Sequence, residues 1–504
     1  MKILTPSQLQ KADAYTIDKE KITSWQLMER ASLAAFEEIK QILKQSQPLT
    51  VLAGSGNNGG DGLALAFHLH KSGYEVNVLI LKYTTEFSKD FRINFERLKE
   101  KTDLDIQSYS TDSKIEDLNL KTVIIDAVFG IGLNRALPEF VKNILIEANR
   151  KKALRISVDV PSGLFLSDLT PANSVVFNAD YTLTFQHPKL NLFLPDYGNQ
   201  VGKIKIIDIG LDKDFIQNLS SDYHYVTQDL ISKLFRPRQR FSHKGDYGHL
   251  LVIGGQKGMM GSVSFTAKAA IKSGAGKVSV LAPKCGLEVL QMSVPEAMVI
   301  TSNLDFVVSP LQLDFQPTHI CVGMGIGTSG DAVETLSHFV DISTTPMLID
   351  ADGINISEKE PCLLDKLPAN TILTPHQGEL KRLIGQWSDQ YDKLGKMKAF
   401  VEKYDVILVS KDAFTFIISR DQSYINSTGN AGMATAGSGD TLSGIISGLL
   451  TQGYAPLEAS VLGVYFHGLA ADIYAEKFEE YSLTASDIID HLGLAFSSVK
   501  QSQH

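Results

Sequence analysis

The stretch Ala436-Gly437-Ser438-Gly439-Asp440-Thr441, running on into apolar Ile445 to Leu450, holds the residues best suited to chemistry. Glycines at 437 and 439 remove side chains that would hold a phosphate off the backbone. The first N–H groups of the helix that follows have no internal partner, so they can face an anion. A carboxylate at 440 repels phosphate but can take a proton. An Asp at a helix start is ordinarily a cap. Among phosphate-binding glycines it is also what a phosphoryl-transfer enzyme uses to orient and deprotonate an attacking hydroxyl. No Gly-x-x-x-x-Gly-Lys-[Ser/Thr] occurs, and the nearest approach, Gly274-Ala275-Gly276-Lys277-Val278, lacks the earlier glycine and the hydroxyl, which excludes a P-loop.

A second group of polar turns lies in the first half. Gly54-x-Gly56-x-x-Gly59 satisfies the dinucleotide fingerprint, but the acidic residue expected to close the next strand is replaced by Lys82, which argues against a dehydrogenase. The Asn57-Asn58 pair and Asp61 read better as a nest for a phosphate or other polar ligand. Val123 to Ile125 runs into Asp126, and Ile156 to Val158 runs into Asp159-Val160-Pro161-Ser162-Gly163. Each Asp alone could be a turn residue. Three such turns at strand ends predict one shared site, because ligands of open α/β sheets collect at the carboxyl ends of the strands.

The elements that must carry these turns follow from the hydrophobic pattern. Residues from Thr5 to Ile42 show helical spacing. Strands are predicted at Leu49 to Leu52, Val76 to Leu81, Val123 to Ile125, Ile156 to Val158, Asp180 to Gln186 and Lys203 to Ile209, with a helix from Leu63 to His70. Between Asp212 and Asp222 the chain turns polar and loses periodicity, and the boundary is placed there, giving domains 1–215 and 223–500. Beyond it, strands His249 to Ile253, Lys277 to Leu281, His319 to Val322, Met347 to Ile349, Thr371 to Leu373 and Val406 to Val409 each enter a polar turn. This predicts a second, independent parallel sheet with its own active edge.

Composition limits the partners. The 504 residues are 43% hydrophobic and 21% charged, as in an ordinary globular protein of two or three domains. A net charge of −9 argues against nucleic acid. Cys285, Cys321 and Cys362 have no zinc-type spacing and suit a reducing compartment. The absence of an apolar leader or membrane-length run leads us to expect a cytoplasmic protein with no membrane partner.

Asn57-Asn58-Gly59-Gly60-Asp61-Gly62, Asp126-Ala127-Val128-Phe129-Gly130-x-Gly132 and Asp159-Val160-Pro161-Ser162-Gly163 resemble the signatures of the NAD(P)H-hydrate epimerase family. Leu27-Met28-Glu29-Arg30-Ala31 resembles its amino-terminal helix. The resemblance implies that Asn57, Asn58, Gly59, Gly60 and Asp61, with Gly130, Ile131, Gly132, Leu133, Asn134, Arg135 and Ala136, contact the hydrated nucleotide. It also implies that Asp159 lies at the reacting centre, and that Asn58, Asp126 and Ser162 hold a potassium ion.

The second half, through Gly323-Met324-Gly325, Asp350-Ala351-Asp352-Gly353, Thr374-Pro375-His376-Gln377-Gly378-Glu379, Ser410-Lys411-Asp412 and the Asp440 loop, resembles ADP- or ATP-dependent NAD(P)H-hydrate dehydratases. The order, epimerase then dehydratase, is that of fused bacterial repair enzymes. The implied fold is α/β: two three-layer αβα domains, the first Rossmann-like and the second ribokinase-like. The implied roles are Asp440 as base, Ser262, Gly325 and His376 on the hydrated nucleotide, and Lys411, Asp412, Ala413, Phe414, Thr415 and Gly439 on ADP. Magnesium is expected with the nucleotide, with Asp350, Asp352 and Glu379 as candidate ligands. Two positions depart from the family pattern, Ala431 and Gln377, where proline is usual; proline would stiffen a turn rather than supply chemistry, so loop mobility is expected to change more than activity.

The resulting expectation is repair of hydrated NADH or NADPH at the expense of ADP or ATP, by a homo-oligomer acting on small molecules. The rival is a ribokinase-like vitamin or hydroxymethylpyrimidine kinase whose first domain is a non-catalytic nucleotide-binding module.

Overall fold

The computed structural model describes residues 1–43, 47–115, 118–166, 169–171 and 173–501. The chain forms two compact units, residues 2–222 and residues 223–504 together with Met1.

In the first unit the elements run α1 (Pro6–Glu20), α2 (Ser24–Ile42), β1 (Leu49–Ala53), α3 (Asn57–Lys71), β2 (Val76–Leu81), α4 (Lys89–Lys101), β3 (Asp105–Tyr109), β4 (Val123–Ala127), α5 (Glu139–Arg150), β5 (Leu154–Val158), β6 (Tyr181–Phe185), α6 (Gly198–Val201), β7 (Lys203–Ile207) and α7 (Lys213–Gln217). Thr5 and Thr23 each open a helix with a capping box completed by Gln8 and Gln26. The seven strands are all parallel, in the order β3-β2-β1-β4-β5-β6-β7. Alternation along β1 explains the layering: Leu49, Val51 and Ala53 pack with residues of α2 and α3, whereas Leu52 packs with Val141, Ile144 and Leu145 of α5. The strand order reverses between β1 and β4, which opens a crevice at their carboxyl ends.

Three local expectations change. Helix α3 begins at Asn57, six residues before the predicted start, so the Asn57 to Gly62 segment is helical and not an open nest. Strand β3 is not evident in the sequence because Asp105 and Gln107 break the apolar pattern of an edge strand. The polar segment after Asp212 is structured: Asp212 caps α7 by accepting from Phe215 N at 2.7 Å, and Phe215 stacks on Tyr15 with ring centroids 4.4 Å apart.

The second unit runs β8 (Tyr223–Tyr225), α8 (Gln228–Leu234), β9 (His249–Ile253), α9 (Met260–Ser273), β10 (Lys277–Ala282), α10 (Leu287–Ser293), β11 (Met298–Thr301), β12 (His319–Val322), α11 (Gly330–Ile342), β13 (Leu348–Ile349), α12 (Asp352–Lys359), β14 (Thr371–Leu373), α13 (Gln377–Ile384), α14 (Gln390–Tyr404), β15 (Val406–Ser410), β16 (Phe416–Ile418), β17 (Ser423–Ile425), α15 (Ser438–Thr451), α16 (Pro456–Ala475) and α17 (Ala485–Gln501). Its sheet has the order β11-β10-β9-β12-β13-β14-β15-β16-β17-β8. Leu250 and Val252 of β9 join a core with α9, α15, α16 and α17, while Leu251 and Ile253 are buried on the opposite face.

The sheet is not wholly parallel, contrary to expectation: β16 is antiparallel to both β15 and β17. The segments joining these strands are too short for the crossover that parallel neighbours require, so hairpins are the available connection. As in the first unit, the order reverses beside the first long strand, here between β9 and β12, and places the turns after both strands at one edge.

Candidate functional site

In the first unit a cavity of about 580 Å³ opens at the β1/β4 reversal. Its walls come from α1, α2, the start of α3, the loop after β4 and the ends of β5 and β6. Asp159 stands just past β5 with φ 68°, a left-handed conformation that short polar residues tolerate better than most. Its Oδ1 accepts from Lys189 Nζ at 2.6 Å and from Phe185 N at 3.3 Å. Lys189 is buried and also donates to Thr184 Oγ1 at 2.8 Å and Phe185 O at 3.0 Å, so the three protons of its ammonium group have three acceptors.

Asn57, Asn58 and Asp61 line this cavity, as do Gly130, Ile131, Gly132, Leu133, Asn134 and Arg135; Ala136 does not. Gly59 and Gly60 are not lining residues either. A Cβ at Gly59 would lie 1.8 Å from Gly54 O, and one at Gly60 would lie 2.8 Å from Met28 Cε. These glycines let α3 sit directly on the turn and on α2, which aims Asn57, Asn58 and Asp61 inward. Burial, reinforced by the charges of Asp159, Asp13 and Asp90, holds the Asp61 carboxyl well above the usual carboxylate range. Asp13 of α1 lines the same cavity, and burial followed by the charge of Asp159 pushes it up to about 6.

Asp126, at the end of β4, is fully buried. Its Oδ1 accepts from Ser162 Oγ at 2.6 Å and Val128 N at 3.2 Å, and its Oδ2 accepts from Ser162 N at 2.8 Å. Burial pushes Asp126 up to about 6 against these donors. The Asn58 Nδ2 atom is buried without a hydrogen-bond partner. That unused Asn58 atom is a donor nitrogen and cannot ligate a cation. The oxygens that fit a weakly hydrated monovalent cation are those of the buried Asp126 carboxylate, held only by neutral donors, and the Ser162 hydroxyl, to which Asn58 could add only its Oδ1.

In the second unit Asp440 occupies the first turn of α15. The preceding Gly437 has φ 84°, and a Cβ there would lie 2.8 Å from the Phe265 ring, so the turn requires glycine on both counts. Burial, then the charge of Asp350, pushes Asp440 up to about 6, opposed by a hydrogen bond from Ser262 and the charge of Lys411. Helix α9 delivers Ser262 because Gly444 and Gly448 of α15 allow close packing: their Cβ atoms would meet Thr266 O at 2.3 Å and Ala270 O at 2.7 Å. Gly325, with φ 63°, fits against the same helix start, where its Cβ would lie 3.4 Å from Ser262 Cβ. Ser262, Gly325 and Asp440 are therefore brought together.

Lys411 forms the adjoining corner. Its Nζ lies 3.0 Å from Asp350 Oδ1, and a Cβ on Gly439 would lie 3.4 Å from that nitrogen. Asp350 is buried and also accepts from Ser443 Oγ at 2.6 Å. His376 caps α13: its Nδ1 accepts from Gly378 N at 2.9 Å and Glu379 N at 3.2 Å, which fixes the proton on Nε2. Gln377 donates to Lys411 O at 2.8 Å, and Lys411 N donates to Pro375 O at 3.0 Å, so two bonds tie the His376 turn to Lys411. Asp412, Ala413, Phe414 and Thr415 form the β15–β16 turn; Asp412 pairs with Lys393 at 3.4 Å.

The magnesium candidates do not fit a protein-built cage. Asp350 is occupied by Lys411 and Ser443, Asp352 accepts from Gly327 N at 2.9 Å, and Glu379 accepts from His376 N at 2.8 Å. Among the described residues no cluster of three or more His, Cys, Asp or Glu side chains could hold a metal ion.

Residues 250–493 match the NAD(P)H-hydrate dehydratase family model, and residues 24–191 match that of the YjeF-related protein N-terminus. The bifunctional NAD(P)H-hydrate repair enzyme of Moorella thermoacetica is 31% identical, covering 99% of this chain and 98% of its own. That of Escherichia coli K12 is 32% identical, covering 94% and 89%. The chain belongs to the bifunctional NAD(P)H-hydrate repair enzyme family. A solved structure of the ADP/ATP-dependent NAD(P)H-hydrate dehydratase from Bacillus subtilis is also similar, 25% identical over 54% of this chain and 97% of that one, with a TM-score of 0.47. Within this family frame, Lys189, Asp13, Ser443 and the Lys411–Asp350 pairing were not legible beforehand. Lys189 could have been noticed as a cation just beyond a strand end; Asp13 reads in sequence as one more polar residue on a surface helix.

Proposed function

We propose that the chain repairs hydrated NADH and NADPH in two steps. The first unit interconverts the R and S epimers. The second dehydrates the S form with ADP, giving NAD(P)H, AMP and phosphate. The observation that carries the reading is Asp440: a carboxylate near-neutral in basicity, at an anion-facing helix start, bonded to Ser262 and beside Lys411.

In this reading Asp440 removes the proton of the substrate hydroxyl, and the hydroxyl oxygen attacks the terminal phosphoryl group of ADP. The bond to AMP breaks as the new ester forms, with the α15 N–H groups and Lys411 facing the developing charge. The ring nitrogen then pushes out phosphate, and loss of a proton from the neighbouring carbon restores the reduced ring. Ser262 orients the base, and Asp350 holds Lys411 in place. We assign no step to magnesium. In the first unit Asp159, charge-paired with Lys189, is the base, and Asn58, Asp126 and Ser162 would hold potassium, whose charge would offset that of the buried Asp126 carboxylate. The chain acts on small molecules; among the described residues no helix is long and apolar enough to cross a membrane.

The test uses the full chain with a mixture of epimers and ADP. Wild type is expected to convert both epimers to NAD(P)H with release of free phosphate. Asp440→Asn is expected to leave the hydrate unconverted yet still equilibrate its epimers. Accumulation of a stable phosphoester would instead identify a kinase.

A further inference from the structure

The epimerase cavity holds an ion pair that cannot by itself move two protons. Opening a ring at a carbon that bears both a hydroxyl and the ring nitrogen requires a base for the hydroxyl and an acid for the nitrogen. Asp159 can be the base. Lys189 cannot be the acid without breaking its own bonds, because its three protons are engaged by Asp159 Oδ1, Thr184 Oγ1 and Phe185 O at 2.6–3.0 Å. The remaining cavity-lining carboxyls are Asp13 on α1, Asp61 on α3 and Asp90 on α4. No salt bridge reaches Asp13 among the described residues, and it lies on the helix face that lines the cavity with Leu9 and Ile17, four residues to either side.

Resting on the epimerase reading above, we propose that Asp13 is the second acid–base residue of epimerisation, giving a proton to the ring nitrogen while Asp159 takes the hydroxyl proton. The O–H electron pair becomes the second bond of a carbonyl, the carbon–nitrogen bond breaks, and its pair takes the proton from Asp13. The open-chain aldehyde has a planar carbon. After rotation, the nitrogen attacks its other face, Asp13 recovers its proton from nitrogen, and Asp159 returns the other to oxygen. Nothing is consumed. Asp13 is poised for this because it lines the cavity with no salt bridge to hold it among the described residues, and burial and the charge of Asp159 bring it to about 6, whereas burial holds Asp61 well above the ordinary carboxylate range.

The other titratable or charged groups lining this cavity are Asp61, Tyr83, Asp90, Arg135, Asp159 and Lys189, and burial holds the Tyr83 phenol above its ordinary range. The acid must be protonated, so wild-type epimerisation is expected to fall as pH rises through about 6. The experiment starts from one separated epimer and the full chain, without ADP, and follows appearance of the other across pH. Asp13→Asn is expected to lower kcat roughly 10²–10⁴-fold with a smaller change in KM and to lose the alkaline limb. Asp13→Glu is expected to recover part of kcat with a displaced limb. ADP-dependent conversion of the S epimer should be unchanged in both. If wild type epimerises while Asp13→Asn stays within threefold of it, or if Asp13→Glu keeps the wild-type profile, Asp13 is not the acid. A wild type that fails to epimerise overturns the epimerase reading and this proposal with it. Should Asp13→Asn not fold, the Asp13→Glu profile decides alone.

Discussion

Replacing Asp440 by Asn should make the second unit more stable while removing its reaction. In the folded protein this carboxyl titrates at about 6 against an ordinary value of 3.8, mainly because it is buried and faces Asp350. The folded state therefore binds more protons than the unfolded state between those values, so stability falls as pH rises through that window and the deficit is complete above about 6. Two pKa units correspond to about 3 kcal/mol at neutral pH. Asn fills the same space, can still bond Ser262, and carries no charge to desolvate. The gain should be about 3 kcal/mol near pH 7.5, or roughly 6–12 °C in the melting temperature of a unit this size, and should shrink to about 1 kcal/mol near pH 4.5. Unfolding of both proteins at the two pH values, with NAD(P)H recovery measured in parallel, tests this. An Asp440→Asn chain equally stable at both pH values relative to wild type would refute the claim that this site stores a desolvated charge, and undiminished NAD(P)H recovery would refute its role as base.

Two further substitutions probe the first unit. Lys189→Met strands Asp159 as an unpaired buried charge and should cost about 3–5 kcal/mol in stability, with loss of epimerisation, measured by urea unfolding and epimer interconversion. Gly59→Ala places a Cβ 1.8 Å from Gly54 O, so α3 must move off its turn; we expect about 1–3 kcal/mol of destabilisation and loss of epimerisation, with dehydration by the second unit intact.

Much of the architecture was readable because buried parallel strands advertise themselves as apolar runs ending in polar turns; β1, β2, β4, β9, β10 and β15 are all of this kind. Strands β3, β8, β11, β16 and β17 are not evident in the sequence because they lie at or near sheet margins, are short, or carry polar residues on one face. The start of α3 was misplaced for a different reason. Its glycines look like loop formers, and only the contacts of Gly59 with the turn and Gly60 with Met28 reveal that they permit helix packing.

The amino-acid order by itself determined which turns carry chemistry: Asp440 among glycines, Asp126 and Asp159 at strand ends, and the family blocks around them. Those are local features, written in consecutive residues. Tertiary structure alone decided the partners of each charge. Lys189 meets Asp159 across a separation of 30 residues, Lys411 meets Asp350 across 61, and Asp13 reaches the Asp159 cavity from the opposite end of its unit. Proton affinity depends on burial and on neighbouring charge, both of which exist only once the chain has folded.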